Sequence, residues 1–426
     1  MSRPQSSDNA VAAAPVPHRA AAGTGVPHRH AMPLAFGLQV AISAGDGLAM
    51  VALASRVYLG SHASWAVAAV FLAITIPITA LAPVAGLLLD RFRPKPVLVA
   101  AAAGQALVAL AITQVGGIRP VLALATGFGL CAAVLQPGLG AIVPRLAGPM
   151  GVTRANGYLQ AATWGGFTAG PLLAGVLTAV GGTGLALAGV AAVYLLGAVG
   201  LVALPLAPAP ATGGPPGGEQ GGFAAQLSAG IRFLRADTEA GLLVGVVAVM
   251  VACTNMAIVA EVAFAESVLR AGVTGYAVLV AGWTAGMLAG TLAGGRIPAR
   301  RLAFTTLAGT LATGVGVALA GTAAVLWQAV AAYALGGLAN GMEVVATRSF
   351  LNLRAPAHIA GRVFAVYSGV LFGAASIGMA AAGGLLSSMN PRLVLFLAGG
   401  GGLVAGAVGW LVYARRHRRT AAAPPG

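Results

Sequence analysis

The chain has 426 residues, 58% of them hydrophobic and only 8% charged, with a formal net charge of +15. Soluble domains carry about 25% charged residues, so an ordinary soluble enzyme of this length is excluded: too few charges exist to cover its surface. Extensive disorder is excluded because disordered segments are poor in apolar residues, and collagen because the 63 glycines follow no Gly-X-Y period.

What remains is a polytopic membrane protein, in keeping with a mean hydropathy of +0.89. Residues 1–31 are rich in Ala, Pro, Ser, His and Arg without periodicity, and a disordered cytoplasmic tail is expected there. No charged segment leads directly into a short apolar core, so a cleaved signal peptide is not expected. Twelve apolar runs follow, at 33–57, 64–89, 96–116, 119–143, 157–180, 182–206, 241–264, 274–295, 302–320, 324–347, 363–386 and 392–413. A crossing of the ~30 Å hydrocarbon core takes ~20 apolar residues as a helix. Lipid admits only helices or closed barrels, and these runs are too long for barrel strands. The expected fold is an all-α polytopic membrane protein with twelve transmembrane helices in two pseudo-symmetric six-helix bundles. Between the fifth and sixth runs the only separator is Gly181-Gly182. The abundant Gly and Ala are read as packing residues, since small side chains let helix backbones approach in lipid.

The division follows from one break. A first bundle is expected over 32–206 and a second over 241–413, with a basic cytoplasmic tail at 414–426. Between the bundles, 207–240 reads as a cytoplasmic linker. Its Pro- and Gly-rich start is flexible. Its later part, with Leu227, Ile231 and Leu234 set against Arg232 and Arg235, reads as a short amphipathic interfacial helix.

Charge placement gives the orientation. Twenty Lys and Arg fall in the tails and even-numbered loops; the odd loops hold only Arg56, Arg119, Arg270 and Arg392. This bias puts both termini in the cytoplasm of a multi-pass cell-membrane protein. It also accounts for the net charge without nucleic acid. The halves repeat weakly. At an offset of 208, Arg154 meets Arg362, Gly165 meets Gly373, Gly170 meets Gly378 and Gly175 meets Gly383; at 205, Arg91 and Lys95 meet Arg296 and Arg300. Duplicated halves rocking about a midplane site are a transporter architecture.

Two segments carry more specific information. Gly86-Leu-Leu-Leu-Asp90-Arg91-Phe-Arg93-Pro-Lys95 joins spans two and three and sets an acid beside three cations at a helix end. A carboxylate there can cap a helix or pair with arginine across the bundle. The spacing resembles the G-x-x-x-D-R-x-x-x-[RK] loop of the major facilitator superfamily, which implies a conformational latch formed by Gly86, Asp90, Arg91 and Lys95. Span five carries Gly157, Gly166, Gly170-Pro171 and Ala174-Gly175. This is similar to the glycine-proline signature of antiporters in that superfamily, with Ala174 in place of a glycine. Gly170 and Pro171 are expected to hold span five against a neighbour in the second half. Gly45-Asp46-Gly47, Arg154-Ala-Asn156, Gly230-Ile-Arg232-Phe-Leu-Arg235 and Gly361-Arg362-Val-Phe364 resemble the drug and siderophore exporter branch, of macrolide-efflux type. The resemblance covers roughly 33–413 and implies export of small amphipathic molecules by proton antiport. One feature departs from it: span four lacks the arginine many proton antiporters carry there, having only Arg119 at its outer end.

Three acids lie within spans: Asp46, Glu261 and Glu343. A carboxylate is costly in hydrocarbon and is a functional hypothesis by default. Asp46 lies deepest and is the leading proton carrier; Glu261 and Glu343 are its rivals as coupling or substrate residues. Glu343 is also expected to form a gate salt bridge with Arg348, and Arg154, Arg348 and Arg362 are cytoplasmic gate candidates. Phe128, Trp164, Asn255, Trp283, Trp327 and Tyr367 are candidates to line a substrate cavity.

Other classes fare worse. No G-x-x-x-x-G-K-[ST] loop is present, which excludes a primary pump for this chain alone. Cys131 and Cys253 make no ligand spacing or disulfide framework. Gly399–Gly402 reads as helix packing rather than a phosphate cradle. No metal, cofactor or enzymatic activity is expected. The expected partners are the bilayer, a small-molecule substrate and protons, with the chain a monomer. A facilitator, an importer and a non-transporting membrane protein are the alternatives.

Overall fold

Hydrocarbon leaves a backbone no hydrogen-bond partner but itself, and the apolar runs fold accordingly. The computed structural model describes residues 31–91, 94–146, 152–204, 223–356 and 359–421, and no strand occurs among the described residues. In order, the helices are α1 (Ala31–Ser61), α2 (Ser64–Arg91), α3 (Pro94–Gln114), α4 (Ile118–Leu146), α5 (Val152–Ala203), α6 (Phe223–Ala236), α7 (Thr238–Ala263), α8 (Gly272–Gly294), α9 (Leu302–Thr322), α10 (Leu326–Arg354), α11 (Ala360–Leu385) and α12 (Pro391–Ala421). Eleven of them are long and apolar enough to cross a membrane.

α5 accounts for the twelfth crossing. Its 52 residues would span roughly 78 Å as one rod at 1.5 Å per residue, far more than a bilayer. The rod breaks at Gly181 (φ −142, ψ 21) and Gly182 (φ 72, ψ −176). Only glycine adopts the second conformation without strain. Contacts with α1 give the direction of each limb. In the first limb, Gly166 faces Val40 and Gly170 faces Ala44, so this limb runs with α1. In the second, Tyr194, Gly197 and Gly200 face Gly45, Ile42 and Leu38, so that limb runs against α1. The described residues therefore make twelve crossings, as the run count predicts. The start of α1, the end of α12 and the helix ends at Arg91 and Pro94, Leu146 and Val152, and Arg354 and Ala360 share one end, the terminal face. The Gly181-Gly182 turn and the α7–α8 turn share the other, the distal face.

Backbone proximity holds the bundle together. A β-carbon added at Gly170 would collide with the Ala44 carbonyl oxygen, and one at Gly378 with the Ala252 carbonyl oxygen. Both members of the second pair lie 208 positions after those of the first, so the sequence repeat is also a repeat of contact. In the second half, Gly286 and Gly290 of α8 face the carbonyls of Ala334 and Leu338, while Gly337 and Gly341 of α10 face those of Trp283 and Met287. Gly399 packs on α9 at Ala318, and Gly402 on α7 at Met250, so the glycine run of α12 serves packing as expected.

α5 lies on α8, and α2 on α11, forming two seams between the halves. At the first, a β-carbon on Gly175 would stand 2.9 Å from that of Ala277; at the second, one on Gly383 would stand 2.9 Å from that of Ala68. All four residues lie toward the distal face. Here the structure corrects the sequence reading. Gly170 and Pro171 pack on α1 of their own half, Pro171 against Gly47, and it is Gly175 that meets the second half. Gly175 lies five residues beyond Gly170, which turns it about 140° around the helix axis. Arg56 is likewise not in a loop: α1 runs on to Ser61, and the Arg56 guanidinium donates to the Val115 carbonyl at 3.0 Å. The 1–30 tail and the Gly/Pro-rich part of the linker lie outside the described residues. Next to the latter, α6 docks on α11, with Gly230 against Val366 and the Arg362 carbonyl.

Glycines 165 and 170 should therefore respond differently to added bulk. Gly170→Leu should cost at least ~1–3 kcal/mol through overpacking and lower the monodisperse yield and melting temperature in detergent. Gly165→Leu should be tolerated, because nothing lies within 4 Å of its β-position. Equal behaviour of the two in size-exclusion and thermal-shift measurements would contradict this packing.

Candidate functional site

Polar side chains inside an apolar bundle must find each other, and three clusters result. The first surrounds Asp46, half-way along α1 and half-buried. The Tyr194 hydroxyl, from the second limb of α5, donates to Asp46 Oδ1. Gly45 and Gly47 make this possible: the Tyr194 ring lies 3.2 Å from a β-carbon at Gly45, and Pro171 2.8 Å from one at Gly47. Tyr194 is fully buried, with Phe128 of α4 edge-on at 5.6 Å. Gln105 of α3 neighbours it, and both polar atoms of that buried amide lack a partner in hydrogen-bond geometry. On α1 itself, Gln39 donates to Ser43 and to Thr163 of α5, each at 3.1 Å.

The second surrounds Glu343, fully buried in α10. Thr310 of α9 donates to Oε1 at 3.0 Å and Asn340 to Oε2 at 3.3 Å. Thr347 donates to the Glu343 carbonyl at 2.8 Å and lies 3.2 Å from Thr306. The expected gate pair with Arg348 is not formed. Five residues apart on one helix, the two side chains point about 140° apart; Glu343 faces α9 while Arg348 is exposed. The third cluster is Glu261 near the distal end of α7, 3% exposed, beside Tyr276 of α8 and Tyr333 of α10. The structure thus keeps the three acids apart, one in the first half and two in the second.

The cavity candidates divide. Trp164, Asn255 and Trp283 are half-buried. Asn255 donates to the Val251 carbonyl of its own helix, and Trp283 packs edge-on against Tyr333 at 5.8 Å. Phe128 and Tyr367 are instead core residues at 4% and 1% exposure, and Trp327 is 70% exposed at the distal end of α10, the position of an interfacial anchor. Hydrophobicity alone does not tell these environments apart. A cavity of about 240 Å³ lies between α1 and the α3–α4 turn, lined by Arg56, Ser61 and Val121 among others. It is inside the first half, not between the halves.

Of the latch residues, Lys95 donates to the Leu204 carbonyl at 2.9 Å and so closes the end of the α5 second limb. Gly86, Asp90 and Arg91 end α2, and Arg154 and Gly157 open α5; their side-chain surroundings lie outside the described set. Arg362 is half-buried at the start of α11.

One terminal-face site was not anticipated. Arg354, closing α10, pairs with Asp237 at 2.8 Å and Glu239 at 3.0 Å. Asp237 is also the N-cap of α7, accepting from the Glu239 and Ala240 amides at 3.1 and 3.0 Å. Desolvation disfavours its charge, but the Ala240 amide and the Arg354 guanidinium outweigh this and hold its carboxyl below the usual carboxylate range. The legible signal was an aspartate just before an apolar run.

Twelve crossings in two like halves, with an acid set within the helices of each, define a secondary-transporter architecture. Comparison with known proteins agrees. The family model described as Major Facilitator Superfamily matches residues 35–379, and the chain belongs to that superfamily. No curated protein sequence matches it significantly. Among solved structures, a bacterial homolog of the human lysosomal transporter Spinster, inward-facing and unoccupied, is 16% identical with a TM-score of 0.67, covering 91% of this chain and 97% of that one. The nucleoside transporter NupG is 12% identical with a TM-score of 0.69, covering 90% and 98%. A POT family transporter in complex with 5-aminolevulinic acid is 12% identical with a TM-score of 0.72, covering 91% and 96%. At these identities the likeness is one of fold.

The Asp237 site gives a graded expectation. Asp237→Asn keeps the cap and weakens the ion pair; Asp237→Ala loses both, with the cap alone worth ~1 kcal/mol. Melting temperatures should fall in the order wild type, Asn, Ala. The Asp237 contribution should be present above the ordinary carboxylate range and fade as pH falls through the lowered folded value. Equal melting temperatures for the Asn and Ala variants would contradict the capping role.

Proposed function

We propose that the chain is a secondary active exporter of small amphipathic molecules, such as a drug or secondary metabolite, working by alternating access and driven by proton antiport. It lies in the cell membrane with both termini cytoplasmic, an orientation supported by the twenty-to-four bias of Lys and Arg toward the terminal face. The observation that carries the reading is the position of the seams. Gly175 on Ala277 and Gly383 on Ala68 join the halves toward the distal face, where rocking of one half on the other would open one face and close the other.

Export is supported by the similarity of Gly157–Gly175 to the antiporter signature; of its residues, Gly166 and Gly170 pack on α1 and Gly175 faces α8. Asp46 is the coupling carboxylate of this reading. It is half-buried at mid-depth, with Tyr194 as a donor that stabilises its ionised form. Release of that bond on protonation frees Tyr194 and changes the fit between α1 and α5. Gly86, Asp90, Arg91 and Lys95 latch the terminal face, and Arg154, Arg348 and Arg362 line its gate.

The experiment is uptake into inverted vesicles over a panel of lipophilic cations, macrolides and siderophores, with and without an uncoupler. Accumulation of at least one compound, abolished by the uncoupler, is expected. Asp46→Asn should abolish this accumulation while leaving downhill exchange. Uptake only in right-side-out vesicles would instead favour an importer. Uncoupler-sensitive accumulation in Asp46→Asn would remove that residue from the coupling role.

A further inference from the structure

Two of the most expensive polar groups in the bundle meet at one place. The Tyr276 and Tyr333 hydroxyls are fully buried and lack a hydrogen-bond partner. An orphan buried donor costs about 1–3 kcal/mol. They come from different helices, α8 and α10, and both lie close enough to Glu261 for its charge to act on them. Tyr333 approaches that carboxyl without reaching hydrogen-bond geometry. No arginine or lysine pairs with Glu261: both salt bridges among the described residues belong to Arg354. Arg392 of α12 is engaged elsewhere, over the Phe264 ring at 5.8 Å and on the Gly321 carbonyl at 2.8 Å.

Such a set can hold a carboxyl in either protonation state. Ionised, Glu261 would accept from two tyrosine hydroxyls. Neutral, it would itself donate to a tyrosine oxygen and release the other hydroxyl. The backbone next to it is also built to change. α7 leaves α-helical geometry three residues on, in the π-turn Phe264–Val268, and π-turns inside helices are frequent at functional sites. Arg270 just beyond has φ 51. Glu266 of that turn acts on Tyr58 and is acted on by His62, both of the first half, so the turn also lies at the meeting of the halves.

We propose that Glu261, Tyr276 and Tyr333 form a closed proton-binding site, separate from Asp46, whose protonation state sets the geometry of the Phe264–Val268 turn and through it the distal contact between the halves. The proposal rests on the proton-coupled reading above and adds a site that governs conformation rather than exchange with substrate.

The test needs no substrate and so stands apart from the vesicle experiment. Dicyclohexylcarbodiimide adds to a protonated carboxyl to give an O-acylisourea, which rearranges to a stable N-acylurea readable by peptide mass spectrometry. In purified wild-type protein, Glu261 should be modified at low pH and spared at high pH, with a defined midpoint. Tyr276→Phe and Tyr333→Phe remove donors to the ionised form, so each midpoint should rise by about one pH unit, the equivalent of one modest hydrogen bond. Their melting temperatures should hold below the midpoint and fall above it, where the ionised carboxyl has lost a donor. Amide exchange of Phe264–Val268 should change across the wild-type midpoint. Infrared difference spectra guard against poor reagent access: a titrating carboxylic C=O band should be present in wild type and missing from Glu261→Gln. Unchanged midpoints in both tyrosine variants, absence of that band, or amide exchange that stays flat across the titration would each overturn the proposal.

Discussion

Lipid removes the force that assembles most proteins. Acyl chains are as apolar as leucine, so helices in a bilayer gain little from burying side chains against one another and must instead bring their backbones close. In this chain that requirement is met by glycines set against carbonyls. Gly170 on Ala44 and Gly378 on Ala252 are the same contact made twice, once in each half. The remaining architecture follows from such contacts. Gly45 and Gly47 bring both limbs of α5 onto α1, and only that double approach puts Tyr194 on Asp46. Gly309 lies 2.9 Å, from its β-position, to the β-carbon of Glu343, and this closeness lets Thr310 reach the carboxyl.

The same small residues appear where the halves meet, with a different consequence. Gly175 and Gly383 face alanine side chains rather than carbonyls. Such a surface is smooth, and at the α2–α11 seam the Thr75 hydroxyl donates to the Met379 sulfur, a weak acceptor, at 4.0 Å. The acids, by contrast, sit inside the halves and not on the seams. Asp46 is held by Tyr194, Glu343 by Thr310 and Asn340, and Glu261 lies among Tyr276 and Tyr333. In the proposed proton antiport, a proton arriving at any of them would act first on the packing of its own bundle, and coupling to the seams would then pass through helix geometry such as the α7 π-turn.

The crossings and the repeat were legible in the sequence because each rests on a one-dimensional signal. Run length fixes the number of crossings, and equal offsets mark the glycines. Even the α5 hairpin was readable, at Gly181-Gly182. Direction around a helix was much less legible. Gly170 was assigned to the second half from its place in the glycine-proline motif and Arg348 to Glu343 from nearness along the chain, yet five residues rotate a side chain about 140°. The tyrosines were overlooked for a different reason. Tyr194, Tyr276 and Tyr333 count as hydrophobic in composition, and their polar function shows only when the hydroxyl is seen to be buried beside an acid. The Asp237–Arg354 pair joins residues 117 positions apart, a separation at which no local pattern can pair them.

The rocking of the two halves is tested most directly by pulsed electron paramagnetic resonance with two spin-label pairs, in protein lacking Cys131 and Cys253. Gln114→Cys with Val325→Cys spans the distal face; Val202→Cys with Arg300→Cys spans the terminal face. All four positions are exposed. When pH is stepped, the two distance distributions should move in opposite senses, the distal pair lengthening as the terminal pair shortens. Two pairs that lengthen together, or a distal pair fixed at one distance while vesicles carrying the same protein transport, would contradict alternating access built on these seams.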